Sequence, residues 1–484
     1  MLGGTGSDVG KSVIATGLCR VFLQDGYHPC PFKAQNMALN SAATPDGKEI
    51  GRAQATQAEA CGLEPDTDMN PILLKPSSDK TSQVVVNGVS IGNRNAYEYY
   101  RTEGRENFRE IARRSFDRLN AIYNPVVMEG AGSIAEINLK DTDIVNMSMA
   151  RYAGAAVILV ADIDRGGVFA SLYGTIQLQS PEDRELIKGI IINKFRGDLK
   201  FFDSGRKLIE DICGVPVIGI VPYMSDLNID EEDSVALDEK NNKAANDKLN
   251  IAVVRLKHIS NYTDFAPLEQ IKEINVYFSN EKKEISKADI VIIPGSKSTI
   301  SDRMFLKEKG LDDLIVQMAR NGRKVWGICG GYQILGKTIE DPDGIEGNVR
   351  EVDGLGLLPI KTVIQGDKRT VKSRFRIDDA SDLCEGYEIH CGKSSVENLK
   401  PFCITENGFS DGCIDNEGQI AGTYMHGLFE NGPVVRLLLK DTSVEIPEDF
   451  NYRRQKDYEY DRIADHLRKY LDLKKLYEII ESND

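Results

Sequence analysis

The stretch Gly4-Thr5-Gly6-Ser7-Asp8-Val9-Gly10-Lys11-Ser12 runs directly into Val13-Ile14-Ala15-Thr16-Gly17-Leu18-Cys19-Arg20-Val21-Phe22, and its reading decides the fold of the first half of the chain. Positions 13, 14, 17, 18, 21 and 22 fall on one face of a helix, and Gly26 is a suitable C-terminal stop. A glycine-rich turn in front of such a helix lets backbone N–H groups curl around a phosphate, and the helix N-terminus adds favourable partial charge. Gly6 and Gly10 supply the turn, Lys11 reaches toward terminal phosphates, and the Ser12 hydroxyl is a ligand for Mg²⁺. The usual pattern has Gly five positions before Gly10, where Thr5 stands; Gly4 lies one residue further back, so the loop is a longer variant. Only Met1-Leu2-Gly3 precede it, which predicts a truncated first strand or a very short edge strand.

Working outward, Val126-Val127-Met128, Ala155 to Ala161, Ile190-Ile191-Ile192 and Val217 to Val221 are short apolar, largely β-branched runs bounded by Gly, Asp, Asn or Pro. Strands apolar on both faces and separated by helical segments predict an α/β fold with a parallel sheet covered on both sides. Glu129 follows the first of these strands, at the end where ligands of such sheets bind, and is a candidate Mg²⁺ partner. Asp162 and Asp164 end the next strand, where they hold metal, position substrate or cap the following helix. Asn193 follows the third, as a candidate contact for a nucleobase edge.

The organisation predicted is a nucleotide-dependent synthetase domain over 1–225, a polar linker over 226–249, a second α/β domain over 250–445 and a charged helical extension over 446–484. The second series of strands comprises Ile251 to Val254, Ile290 to Ile293, Val325 to Ile328 and Ile420 to Tyr424. A length of 484 residues, at roughly 150 per domain, agrees with several domains. Sixty Lys and Arg against 75 Asp and Glu leave a formal net charge of −15, which argues against a protein built to grip nucleic acid. The apolar run Ala155 to Ala161 falls far short of the ~18 residues of a spanning helix, and no signal-peptide pattern opens the chain. Nine scattered Cys, with no Cys-x-x-Cys pair, form neither a disulfide framework nor a structural zinc pattern. A cytoplasmic protein with no membrane or nucleic-acid partner is expected; a homo-oligomer is allowed.

In the second domain, Val325-Trp326-Gly327-Ile328-Cys329-Gly330-Gly331-Tyr332-Gln333 is an apolar strand, a Gly-x-Cys-x-Gly turn and a helix-compatible run. Small residues on both sides of Cys329 permit the tight strand-to-helix turn that exposes a nucleophile, and a helix N-terminus favours its thiolate. The other eight Cys lack this setting. A thiol nucleophile needs a base, and of five His the best placed is His426, just after Ile420 to Met425, with His390 second. Ile292-Ile293-Pro294-Gly295-Ser296 is another strand-to-glycine turn. Backbone N–H groups of Gly295, Ser296 and Gly330 are candidates for an oxyanion hole, and Gln333 is counted with the glutamine site.

A phosphate-activating domain joined to a thiol hydrolase domain has a coherent chemistry: ammonia freed from glutamine attacks a carboxylate activated by ATP. The chain resembles the cobyric acid synthase family, the glutamine-dependent amidases of cobalamin biosynthesis. The resemblance spans nearly its whole length and rests on Phe32 to Met37, Met128 to Ser133, Ala161 to Phe169, Ile192 to Asp198 and Ser260 to Phe265. It implies ATP- and glutamine-dependent amidation of the b, d, e and g propionates of adenosylcobyrinic acid a,c-diamide, with a class I amidotransferase nucleophile at Cys329 and its histidine at His426. The related a,c-diamide synthases are the neighbouring alternative, and a switch ATPase with a vestigial amidotransferase domain is the distant one. Relatives outside the cobalamin branch often carry Glu two residues after that His; here Leu428 stands there, so a Cys-His dyad is expected. Similarity to dethiobiotin synthetase implies that Lys33 lies near the transferring phosphoryl group, Glu129 binds Mg²⁺ and Asn193 contacts adenine, with Asp46 a further metal candidate. A polyanionic corrinoid implies a locally basic cleft, for which Arg165, Lys194 and Arg196 are candidates.

Overall fold

The computed structural model describes residues 1–78, 81–95, 102–225, 227–230, 237, 240–378 and 382–482. It divides into two compact units: Met1–Met37, Ile50–Ile229 and Gln455–Asp484 make the first, Ala38–Glu49 and Asp230–Arg454 the second.

The first unit is built on parallel strands in the order Leu2–Gly4, Val157–Asp162, Ile187–Phe195, Val217–Pro222. On the other side of Leu2–Gly4, Leu2 bridges Glu129, and Val126–Met128 pairs in parallel with Cys30–Phe32. The first strand is therefore central, not the edge strand its three residues suggested. Alternation of side chains explains the continuous apolar runs. Ile158, Val160 and Ile191 face one core with Ile14, Leu18 and Phe22 of the helix Lys11–Gln24. Val157, Leu159, Ile190 and Ile192 face another with Leu172 and Ile209.

The C-terminal segment corrects the predicted domain division. Tyr460, Ile463, Leu467 and Leu471 of the helix Tyr452–Tyr470 and its end are buried in the first unit's core, so this is no surface extension. A Cβ at Gly17 would lie 2.5 Å from both Ile463 and Leu467, so glycine there lets the two helices approach. Arg20 to Asp461 at 2.7 Å and Lys456 to Glu59 at 2.9 Å border the seam.

The second unit has a sheet in the order Ile274–Ser279, Leu249–Val254, Ile290–Ile293, Lys324–Ile328, Ile420–Thr423, Cys413–Ile414, parallel except at the last strand. A long antiparallel hairpin, Ile360–Arg376 with Cys384–Val396, carries Met425–His426 on its outer edge. Of the predicted linker, residues 226, 231–236 and 238–239 lie outside the described residues. Its described remainder is attached: Leu237 is buried in the second core, and Asn241 O accepts from the Phe278 N–H at 2.8 Å. Among the described residues no helix is long and apolar enough to cross a membrane.

Candidate active site

In the first unit the loop after Leu2–Gly4 closes on itself. Lys11 Nζ donates to Gly6 O at 3.1 Å and to Gly132 O at 2.9 Å, so the ammonium lies inside the loop's backbone. Gly10 begins the helix at φ +92°, a left-handed conformation that glycine adopts freely. Asn193, expected at an adenine, donates Nδ2 to Val9 O at 2.9 Å and braces the loop. Glu129 gathers three partners: Oε1 accepts from Ser12 Oγ at 2.8 Å and Lys33 Nζ at 2.9 Å, and Oε2 from Gln57 Nε2 at 2.7 Å. Glu129 and Lys33 are both buried, so each charge needs the other.

Asp46, the further metal candidate, is bound by its own neighbours. It belongs to the second unit, with its exposed carboxylate hydrogen-bonded to Thr44 Oγ1 at 2.5 Å and paired with Lys48 at 2.9 Å, which together hold its pKa below the ordinary value. No cluster of three or more His, Cys, Asp or Glu side chains suited to a metal ion occurs among the described residues. One carboxylate and one hydroxyl still suit Mg²⁺, which keeps several waters and takes further oxygens from a nucleotide's phosphates.

The expected basic cleft is charge-balanced at these residues. Lys194 Nζ donates to Asp8 O at 2.6 Å and pairs with Asp162 at 3.2 Å; Arg165 lies 3.7 Å from Asp8 and 3.8 Å from Asp162. Arg196 pairs with Asp164 at 2.8 Å and lies over the Tyr223 ring at 3.9 Å. Asp162 also accepts from the Asp164 N–H at 2.7 Å, a turn-forming bond.

In the second unit Cys329 stands between the strand Lys324–Ile328 and the helix Gly330–Leu335 at φ +52°, ψ −108°. That backbone is strained for a residue with a Cβ, and such strain concentrates at functional turns. A Cβ at Gly330 would come within 2.8 Å of Ser296 N, so the elbow and the Gly295–Ser296 turn lie backbone to backbone. Ser296 Oγ donates to Asp302 at 2.6 Å, and Asp302 also holds His258 Nδ1 at 3.0 Å, fixing that turn. Gln333 is buried: its Oε1 accepts from Thr299 and its Nε2 reaches Tyr424 Oη at 3.2 Å, so it supports the elbow from below.

The Cys329 thiol's own hydrogen bond runs to Ile389 O at 3.7 Å. His426 is buried, and it lies near enough to the Cys329 sulfur for that sulfur to favour its charged form. Its Nδ1 lies 2.6 Å from Asp264 Oδ2, and Asp264 Oδ1 accepts from the Gly427 N–H at 3.0 Å. Burial alone would lower the imidazolium pKa; the Asp264 carboxylate, with the Cys329 sulfur, outweighs burial and carries it from 6.5 up to about 10. The expected dyad is thus corrected to a row of three. Leu428 is wholly buried, and the carboxylate comes from Asn261-Tyr262-Thr263-Asp264-Phe265, a segment singled out in the sequence without a role. The only local signal was a lone acid among residues that all prove buried. His390 is engaged elsewhere, by Gly392 O at 2.7 Å, Glu388 at 3.2 Å and a stacked Tyr424 ring. Burial pushes the thiols of Cys30, Cys384 and Cys403 up, and that of Cys413 to about 11, as inert core residues require.

Residues 1–236 match the family model of the CobQ/CobB/MinD/ParA nucleotide binding domain, and 250–434 that of the CobB/CobQ-like glutamine amidotransferase domain. The chain is 55% identical over 489 residues to the cobyric acid synthase of Phocaeicola vulgatus, covering 100% of this chain and 98% of that protein. It is 56% identical over 488 residues to that of Bacteroides fragilis, with the same coverage. A solved glutamine amidotransferase is similar at 14% identity with a TM-score of 0.31, over 39% of this chain and 97% of its own. With both domain types matched in order and the full length shared, the chain belongs to the cobyric acid synthase family of glutamine-dependent amidating ligases.

Proposed function

We propose that the chain converts the b, d, e and g propionate carboxylates of adenosylcobyrinic acid a,c-diamide to amides, giving adenosylcobyric acid, at the expense of ATP and glutamine. The observation that carries this reading is the Cys329–His426–Asp264 row in a chain that also holds the Lys11–Glu129–Lys33 loop site. Neither half alone makes an amide from a carboxylate.

In the glutamine half, the Cys329 thiolate adds to the side-chain amide carbon of glutamine. Backbone N–H groups of Gly330 and the Gly295–Ser296 turn receive the charge that develops on oxygen. His426, held protonated by Asp264, gives its proton to the departing nitrogen, so ammonia leaves and a thioester remains. Water, losing a proton to His426, then releases glutamate and restores the thiolate. In the nucleotide half, an oxygen of the propionate attacks the terminal phosphorus of ATP, ADP leaves, and ammonia displaces phosphate from the acyl phosphate. Lys11 and Lys33 stabilise charge on the transferring group, and Arg165, Lys194 and Arg196 exchange their acidic partners for substrate carboxylates. Mg²⁺, held by Ser12 and Glu129, would neutralise phosphate charge when bound.

The test is mass spectrometry of the purified protein incubated with adenosylcobyrinic acid a,c-diamide, ATP, Mg²⁺ and glutamine. Four successive acid-to-amide mass changes, each requiring ATP, are expected. ATP hydrolysis with an unaltered corrinoid would overturn the acceptor and leave the two half-sites standing.

A further inference from the structure

The first turn of the helix Thr299–Lys309 holds both the Cys329 elbow and the turn that faces it. Thr299 and Asp302, three residues apart, share one side of that helix. Thr299 Oγ1 donates to Gln333 Oε1 at 2.9 Å, on the helix that follows Cys329, and Asp302 Oδ2 accepts from the Ser296 hydroxyl at 2.6 Å. The Gly295–Ser296 backbone lies close to elbow and histidine alike. A Cβ at Gly330 would stand 2.8 Å from Ser296 N, and one at Gly295 would stand 3.2 Å from His426 Cε1. Small shifts of this backbone therefore change what it presents to a group bound at Cys329.

Asp302 is wholly buried, so its charge depends on its donors. Beside Ser296 Oγ these include the His258 backbone N–H, at 3.2 and 3.3 Å from the two carboxylate oxygens, and His258 Nδ1 at 3.0 Å. The hydrogen bond to Asp302 raises the His258 pKa above its ordinary value; Glu346 acts in the same sense, burial and Lys257 against it. His258 also grips the turn through its backbone. His258 O accepts from the Lys297 N–H at 2.9 Å, and the next residue, Ile259, pairs antiparallel with Ser296. Serine, aspartate and histidine are the residues of a hydrolytic triad, but here their order is wrong for one. Asp302 stands between the other two, and Ser296 Oγ gives its only proton to the carboxylate while accepting from the Ser298 N–H at 3.0 Å. A hydroxyl so engaged is a brace, not a second nucleophile.

We propose that Asp302 and His258 are positioning residues for glutamine hydrolysis: through the Ser296 hydroxyl they fix the Gly295–Ser296 backbone where it receives the oxygen charge of the tetrahedral intermediate. The proposal rests on the reading of Cys329 as the thiol that attacks glutamine. Its consequence is selective. Attack on the amide carbon moves the C=O electron pair onto oxygen and draws on these N–H groups. Alkylation by a diazo ketone analogue of glutamine does not. There the diazo carbon takes a proton, the Cys329 sulfur bonds to that carbon, dinitrogen leaves, and the ketone keeps its double bond.

The test compares these two reactions in the full-length protein, with ATP, Mg²⁺ and adenosylcobyrinic acid a,c-diamide present. Glutamate release gives kcat and KM, and the mass gain at Cys329 gives the alkylation rate. The variants are Asp302→Asn, His258→Ala and His258→Asn, the last of which retains a side-chain N–H for Asp302. In Asp302→Asn kcat should fall by about 10²-fold, the cost of a misplacement of about 1 Å, with KM little changed. His258→Ala should lower kcat in the same sense, and His258→Asn should recover most of that loss. Alkylation should keep the parent's rate in all three. Equal falls in hydrolysis and alkylation would mean that the pair only holds the site together, and an unchanged kcat would mean that the reaction does not use the brace; either overturns the proposal alone. If Asp302→Asn does not fold, the two variants at the half-buried His258 decide the matter. A parent that neither releases glutamate nor is alkylated at Cys329 overturns the glutamine reading and the proposal with it.

Discussion

Asp264 reaches His426 from 162 residues upstream, and the consequence is a histidine whose charge survives burial. Asp264→Asn keeps the shape of the contact and removes the charge. Glutamine-driven amidation should then fall by about 10²–10⁴-fold, the range over which an orienting carboxylate acts in other nucleophile–histidine sites. Amidation with ammonia should be untouched, and equal loss with both donors would refute the role. The same pair makes a prediction about stability. A histidine whose folded pKa is raised from 6.5 to about 10 stabilises the fold fully below about 6.5, and that contribution is lost as pH rises toward about 10. The denaturation midpoints of parent and Asp264→Asn should therefore differ most in mildly acid buffer and converge near pH 10. A gap that widens with pH would contradict the charged state assigned to His426. Cys329 and His426 were legible in the sequence because a glycine-flanked elbow and a strand-end histidine are local patterns. Asp264 was not, because the contact is a long-range product of folding, and the position where local spacing looks for an acid holds Leu428.

At the scale of elements, legibility followed periodicity. The parallel strands were readable because both faces are buried and their runs are continuously apolar. The helix Tyr452–Tyr470 was readable as a helix but not as a core element. Its buried positions, Tyr460, Ile463 and Leu467, are ordinary amphipathic spacing, and nothing local says that Gly17 leaves room for them. The hairpin Ile360–Arg376 with Cys384–Val396 escaped for the opposite reason. The polar run Gln365-Gly366-Asp367-Lys368-Arg369 breaks the alternation, and the pairing register shifts between Ile364 and Arg369. Gly17→Leu tests the docked helix by its sign. On an exposed face, leucine in place of glycine should stabilise the helix by up to about 1 kcal/mol. Against Ile463 and Leu467 at 2.5 Å it should instead cost about 1–3 kcal/mol as overpacking. Thermal unfolding of the variant decides between them; a raised midpoint would mean that the terminal helix does not pack there.

At the scale of the whole molecule the chain folds as two units that exchange segments. The C-terminal helices belong to the first unit, and Ala38–Glu49 to the second. A linear division into domains could not read this: the charged composition marks off the C-terminal stretch without saying which unit it packs on, and nothing in composition marks Ala38–Glu49. The proposed function assigns separate chemistries to the two units, and that separation is open to test with one substitution in each. Cys329→Ala removes the thiol proposed to free ammonia and leaves the residues of the nucleotide loop in place. Amidation supported by glutamine should vanish, and amidation supported by a high concentration of ammonia should remain. Lys11→Ala removes the ammonium held between Gly6 O and Gly132 O. Phosphoryl transfer gains its rate from such positioned charge, so amidation should be lost with both nitrogen donors. Product analysis by mass spectrometry with each donor reads both variants in one experiment. Ammonia-supported synthesis surviving Lys11→Ala would remove carboxylate activation from this loop, and its loss in Cys329→Ala would mean that the thiol serves more than the release of ammonia.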